Sequence, residues 1–150
     1  MRTKFAAKFI LIVLMGFMLS ACHFSFGFKT DLSLRKKYEY SHKTDNLKFF
    51  YNVETIGNEK KIEMAVKNAS NMYIANMALN INTQNTQQYF YIGNIKNLSR
   101  KTLEFTVPSK NDKLQLSYHY NLTSEDVFLN PSSQFQETNL VENQTILFLE

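Results

Sequence analysis

From residue 34 onward, apolar and polar residues alternate with a period of two along most of the chain. Leu34, Tyr38 and Tyr40 fall on one face, with Arg35, Lys37 and Glu39 opposite. Leu47, Phe49, Tyr51 and Val53 form the next set, then Ile62, Met64 and Val66, with Lys61, Glu63 and Lys67 turned away. Successive side chains of a strand point to opposite faces, so this pattern predicts half-buried β-strands. Gly57-Asn58 lies between the second and third sets and predicts a tight hairpin, because glycine accepts the positive φ of the first central position.

Tyr73, Ala75, Met77, Leu79 and Ile81 continue the alternation against Asn76, Asn80 and Asn82, and the run Tyr89 to Ile95 follows a polar connector. Leu103, Phe105 and Val107 predict a strand that Pro108 ends, since proline cannot donate to a ladder. Leu114, Leu116, Tyr118 and Tyr120 predict another, and Thr145 to Leu149 a last one. Thr123 to Asn143 is polar, carries Pro131-Ser132-Ser133, and predicts a long loop suited to partner contact. Seven to eight short strands with turns between them predict an all-β fold, an antiparallel Ig-like β-sandwich spanning residues 34–150. The competing reading is a helix over Glu59 to Leu79, where Ile62, Val66, Ala69, Tyr73 and Met77 also share a helical face; Ser70-Asn71 and the density of asparagine weigh for strands.

The first 33 residues follow a different logic. Arg2, Lys4 and Lys8 precede an uncharged run from Phe9 to Leu19, the layout of an export signal. Leu19-Ser20-Ala21-Cys22 follows, and these four residues resemble the lipobox of bacterial lipoprotein precursors. The resemblance implies cleavage between Ala21 and Cys22, a signal peptide over 1–21, lipid on the Cys22 thiol and amine, and a lipidated N-terminus and tether over 22–33. Two or three acyl chains hold a protein far more firmly than one, each buried methylene contributing about 0.8 kcal/mol. His23 stands where aspartate retains Gram-negative lipoproteins at the inner membrane, so the resemblance implies the outer membrane, facing the periplasm or the cell surface. The rival is an uncleaved membrane helix over Phe9 to Phe28, near the roughly 20 residues a span needs. His23, Ser25 and Gly27 interrupt it, and their alternation with Phe24, Phe26 and Phe28 reads as extended chain.

Processing changes the charge. The net charge of +4 suggests polyanion binding, yet three of the seventeen Lys and Arg lie in the leader and none of the thirteen acids does. Fourteen bases against thirteen acids make a poor nucleic-acid binder. The charge is also uneven: no base follows Lys113, while Glu125, Asp126, Glu137, Glu142 and Glu150 do. Arg35, Lys36 and Lys37 near the anchor suit anionic headgroups or a solvated strand edge. Cys22 is the sole cysteine, so no disulfide forms within the chain and an apolar core must hold the fold.

Catalytic and metal chemistry find little support. His23, His42 and His119 are scattered, and His119 falls on a polar face with Gln115, Ser117 and Asn121. No nucleophile, base and orienting acid fall together, and no histidines have zinc-ligand spacing. Glu125-Asp126 lacks the repeated oxygen ligands and glycine of a calcium loop. With four glycines in the chain there is no phosphate-cradling loop. Asn68, Asn97, Asn121 and Asn143 each open an Asn-x-Ser/Thr triplet, but Val66, Ile95, His119 and Val141 stand where bacterial glycosylation looks for an acid, so the triplets read as idle.

Tyr89, Phe90 and Tyr91 must populate both faces of a strand, which makes Tyr89 and Tyr91 candidates for partner contact together with Glu125 and Asp126 in the long loop; the competing reading buries that strand on both sides. The stretch Ile62 to Val107, with Lys67-Asn68-Ala69-Ser70 and Ile92-Gly93-Asn94-Ile95, also resembles the middle of bacterial Ig-like envelope modules. Together these readings point to a non-enzymatic, cofactor-free envelope lipoprotein that binds or assembles with a protein partner, such as a secretion, pilus or motor apparatus. Two alternatives stay open. One is a carrier or sensor of a small apolar ligand, with the aromatic residues lining a cavity. The other is an inhibitor of a cell-wall enzyme, although the small lipoprotein lysozyme inhibitors commonly carry a disulfide that this chain cannot form.

Overall fold

The computed structural model describes residues 26–124 and 140–149. The lipobox with Ala21 and Cys22, and the pair Glu125 and Asp126, lie outside the described residues. The chain falls into two compact units, one ending at Lys37 and the other beginning at Tyr38. In the first, α1 spans Phe26–Lys37, where the aromatic alternation predicts a tether and then a strand. Leu32, Leu34, Arg35, Lys36 and Lys37 are good helix formers, and the three bases occupy the last turn, where they complement the helix dipole. Propensity and end charge therefore override a short period-two signal. Among the described residues, no helix is long and apolar enough to cross a membrane.

Among its described residues the second unit is all-β, with eight strands in two antiparallel four-stranded sheets. They are β1 (Tyr40–Lys43), β2 (Leu47–Ile56), β3 (Glu59–Asn68), β4 (Tyr73–Asn82), β5 (Gln87–Ile95), β6 (Arg100–Pro108), β7 (Lys113–Thr123) and β8 (Leu140–Phe148). The first sheet runs β1-β2-β3-β6 and the second β5-β4-β7-β8. After the β2–β3 hairpin the chain crosses to the second sheet for β4 and β5, returns to place β6 beside β3, and crosses again to set β7 against β4. Reading β2 to β8 as strands A to G, this is the Greek-key connectivity of an Ig-like sandwich, with the fourth strand on the second sheet.

The alternation read from the sequence supplies the core. Leu47, Phe49, Ile62, Met64 and Val66 of the first sheet face Leu79, Ile81, Leu114, Leu116 and Tyr118 of the second, all buried. Burying a side chain of this size contributes about 2–3 kcal/mol. The two open sides are latched by polar contacts. On one, Tyr51 Oη donates to the Phe148 carbonyl at 2.8 Å and Thr145 Oγ1 lies 2.6 Å from His42 Nε2. On the other, Gln88 Nε2 donates to the Thr106 carbonyl at 2.8 Å. The β3–β4 crossing is organised by Asn68, fully buried, which donates to the Met72 and Ile95 carbonyls at 2.7 and 3.2 Å. Its Oδ1 accepts from Ser70 N–H and Oγ–H at 3.0 and 2.7 Å. The glycosylation triplet at Asn68 is thus spent on folding.

Several sequence expectations meet the structure directly. The Glu59 to Leu79 stretch forms β3 and β4, not a helix. Ile56 pairs with Glu59, so Gly57-Asn58 is the two-residue turn, and Gly57 takes a φ of 61°. Pro108 ends β6. Two readings are corrected. The last strand starts at Leu140 and not Thr145, because Val141 packs inward against the core ahead of the polar run Glu142-Asn143-Gln144, which masks the alternation. Strand β4 does not alternate uniformly: a bulge between Ala75 and Ala78 shifts the buried set from Ile74 to Met77, with Asn76 at a φ of 52°.

Candidate functional site

The outer face of the second sheet carries the side chains that the core does not use. Strand pairing lines them up in two rows across four strands. In one row, Tyr91 of β5 stands beside Ala78 of β4, which pairs with His119 of β7, which pairs with Glu142 of β8. In the next, Tyr89 stands beside Asn80, then Ser117, then Gln144. Three inter-strand steps separate β5 from β8, about 14 Å.

Residue size along these rows makes a trough. The middle strands contribute Ala78, Asn80 and Ser117, with the exposed His119 beside Glu142, while the edges contribute tyrosines on β5 and longer polar chains on β8. The result is an open groove of about 360 Å³, with Tyr89 on one side and Glu142 and Gln144 on the other. Ala78 lies at its floor, 1% exposed, whereas Tyr89 and Tyr91 stand 64% and 65% exposed. The β4 bulge fixes one end: Tyr91 Oη donates to Asn76 Oδ1 at 3.1 Å, and Asn76 N–H donates to Asn94 Oδ1 at 3.0 Å. Gly93, opposite Met77, takes a φ of 77°, which lets β5 follow the bulge. Gln115 Nε2 donates to Gln144 Oε1 at 3.1 Å and braces the far wall. The Asn80 side-chain oxygen is buried and has no hydrogen-bond partner.

Edge strand β8 adds an apolar element, with Leu140, Ile146 and Phe148 all on the outward row and 44–60% exposed. Gln144 N–H donates to its neighbour Asn143 and the Phe148 carbonyl accepts from Tyr51, so backbone groups of this strand point away from β7. Beyond the trough, Ile146 and Phe148 also border a second open groove of about 530 Å³ with Lys110 and Lys113.

The tyrosine positions predicted from sequence sit on an edge strand, and the doubly buried alternative for that strand is corrected: of the three consecutive aromatics only Phe90 turns inward, its ring 5.7 Å from Phe105. His119 lies on the wet face with Gln115 and Ser117, as the alternation predicts. Ala78, Asn80, Glu142 and Gln144 escaped the sequence reading, because only the register of β4, β7 and β8 brings them together. Among the described residues, no group of three or more His, Cys, Asp or Glu could hold a metal ion. The resolved titration effects lie under the face: burial raises the pKa of Tyr51, Tyr118 and Tyr120. Tyr118 Oη has no partner of hydrogen-bonding geometry, and the nearby Thr44 side chain offsets its burial only in part.

No family model and no curated protein matches the chain. Among solved structures, it is similar to the crystal structure of the yeast GGA1 GAE domain–P21, with a TM-score of 0.48 and 13% identity over 73% of this chain and 96% of that one. It is also similar to the GAE domain of GGA2p from Saccharomyces cerevisiae, with a TM-score of 0.40 and 15% identity over 73% of this chain and 93% of that one. The two-sheet architecture rests on this chain's own strand pairing, and neither likeness bears on what it binds.

Proposed function

We propose that this protein is a lipid-anchored lipoprotein of a bacterial outer membrane whose Ig-like sandwich is a non-enzymatic binding module for a protein partner. The observation that carries the binding role is the outer face of the second sheet: a trough floored by small residues, flanked by exposed tyrosines on one edge strand and by exposed apolar residues on the other. Exposed aromatic and apolar side chains beside a sheet edge are what a docking partner buries. The anchor rests on the order of leader, apolar run and Leu19-Ser20-Ala21-Cys22. A secretion, pilus or motor assembly fits such a module, and inhibition of a cell-wall enzyme is one form the binding can take.

The carrier reading draws less support. Its aromatic residues contact one another in the core, Phe49 against Tyr118 at 5.6 Å and Phe90 against Phe105 at 5.7 Å. Two measurements test the proposal. Mass spectrometry of the mature chain is expected to show a diacylated N-terminal cysteine, and an unmodified thiol would remove the anchor. On native gels of solubilised membranes the wild-type chain is expected in a discrete larger complex that the double variant Tyr89→Ala, Tyr91→Ala depletes; equal complex in both would remove the binding face.

A further inference from the structure

We infer that β8 is the interface of a homodimer, in which two copies of the chain pair their β8 edges antiparallel about Asn143 and join their second sheets into one continuous sheet. The contact lies in the plane of the sheet and is separate from the partner face proposed above. The two sheets end in the edge strands β1, β6, β5 and β8. Three of these carry a device that discourages pairing. Strand β1 is four residues long and carries Lys43; β6 begins with Arg100-Lys101 and ends at Pro108; β5 follows the β4 bulge through Gly93 and is tied to β6 by Gln88. Shortness, lysine, proline and bulges are the usual guards of a sheet edge. Strand β8 has none of them: it is nine residues long, and Glu142 is its single charge.

Its backbone is available for pairing. Leu149 N–H donates to the Asp112 carbonyl, on the β7 side, at 2.8 Å. The odd residues therefore turn toward β7, and Leu140, Glu142, Gln144 and Ile146 turn N–H and C=O to the free edge. Among the described residues the one partner of this set is Asn143 Oδ1, which accepts Gln144 N–H at 2.8 Å and caps it locally. Phe148, next along the edge, has its carbonyl bonded to Tyr51. The free stretch is palindromic in character: Glu142 and Gln144 flank Asn143, and Leu140 and Ile146 lie beyond them. Pairing about Asn143 sets Leu140 beside Ile146 of the second copy and Glu142 beside its Gln144, so apolar meets apolar and the carboxylates do not face each other. Pairing about Glu142 would oppose two carboxylates, and pairing about Gln144 would set Glu142 against Ile146 and require the occupied Phe148. Phe148 then lies diagonal to Leu140 of the second copy, so the outward apolar residues, 44–60% exposed in one chain, close into a strip across the junction. The chain's own β8 supplies this order of side chains in the required direction, which is why the occupant is a second copy.

The test uses the full-length chain in detergent. Sedimentation is expected to show monomer–dimer exchange with a dissociation constant on the order of micromolar, as a small interface allows. Ile146→Lys, at an exposed position, is expected to weaken the dimer at least about tenfold, since lysine is an edge guard. Ile56→Lys, an equivalent change at the exposed end of β2, is expected to leave it unchanged, and circular dichroism checks that both variants fold. A cysteine scan reads the register. A residue on the two-fold axis lies opposite its own copy, with Cα atoms about 4.5 Å apart, inside the roughly 4.4–6.8 Å a disulfide spans. Asn143→Cys is expected to give a disulfide-linked dimer on oxidation, while Glu142→Cys and Gln144→Cys stay at the background set by the wild type with Cys22 alone. Monomer at every concentration, a dimer insensitive to Ile146→Lys, or a disulfide from Glu142→Cys or Gln144→Cys in place of Asn143→Cys would overturn the inference. The double variant Tyr89→Ala, Tyr91→Ala is expected to keep the dimer, so failure of the partner face and failure of the dimer are read separately.

Discussion

Replacing Asn68 by alanine is expected to be among the most damaging single changes in the sandwich. The side chain is fully buried and makes four hydrogen bonds, two donated to the Met72 and Ile95 carbonyls and two accepted from Ser70. Each such bond contributes about 1 kcal/mol net, and a buried group left without a partner costs about 1–3 kcal/mol. The Ser70 groups lie nearer the surface, where water replaces Asn68, and the Met72 carbonyl also accepts from Ser70 Oγ at 3.1 Å, so most of the loss falls on the buried Ile95 carbonyl. The sum is about 3 kcal/mol, a large share of the roughly 5–15 kcal/mol that holds a domain of this kind together. With a urea slope of about 2 kcal/mol per M, the midpoint is expected to fall by about 1.5 M. Asn68→Asp keeps the acceptor for Ser70 but points oxygen at the Met72 and Ile95 carbonyls, so it is expected to recover none of the loss. Urea denaturation followed by circular dichroism measures all three chains. A loss under about 1 kcal/mol for alanine, or an aspartate variant near wild type, would refute the assignment of the β3–β4 crossing to this side chain.

The other predictions concern buried hydroxyls and the hairpin. Tyr51→Phe is expected to cost about 1 kcal/mol, because its hydroxyl bonds the Phe148 carbonyl, whereas Tyr118→Phe is expected to be neutral or stabilising by up to about 1 kcal/mol, since it removes a buried hydroxyl with no partner; thermal unfolding of the pair compares them. Burial raises the pKa values of Tyr51, Tyr118 and Tyr120 in the folded chain above the unfolded value near 10, so their contribution is fully present below about pH 10 and lost as pH rises through the folded values; urea titrations from pH 8 to 11 are expected to show stability falling only in the upper part of that range. Gly57→Ala is expected to cost about 1 kcal/mol from backbone strain alone, as its φ is 61° and an added methyl meets nothing within 4 Å; a thermal-melt loss of several kcal/mol would refute a purely conformational origin.

Much of the sandwich was legible because most strands have one wetter face, so alternation as in Leu114, Leu116, Tyr118 and Tyr120 marks the buried set, whereas β3 is buried on both faces from Met64 to Asn68, Lys67 included, which is why a helix competed there. Legibility failed where another force outweighed alternation. In Phe26–Lys37, helix propensity and a basic last turn prevailed over aromatic spacing. At Ala75–Met77, a bulge reversed the parity of β4, a change no local composition announces. In β8, Glu142, Asn143 and Gln144 form a polar run inside a strand because the outer face and the edge are both wet, so the strand start was hidden. The candidate site was half legible for the same reason. Tyr89 and Tyr91 stand out as consecutive aromatics that cannot both face inward with Phe90. Their partners across the groove depend on which strands pair and in what register, a long-range property that the alternation of each strand leaves open.

The central claim, that the outer face of the second sheet meets the partner while the first sheet does not, is tested most directly by site-specific photo-crosslinking in the cells that make the protein. A photoreactive residue is placed in turn at Ser117 in the groove, at Tyr89 on its wall, and at Lys101 on the exposed part of β6. Crosslinks from Ser117 and Tyr89 to one and the same protein, with none from Lys101, are the result the account predicts. Crosslinks to that protein from Lys101 with none from the groove would contradict it.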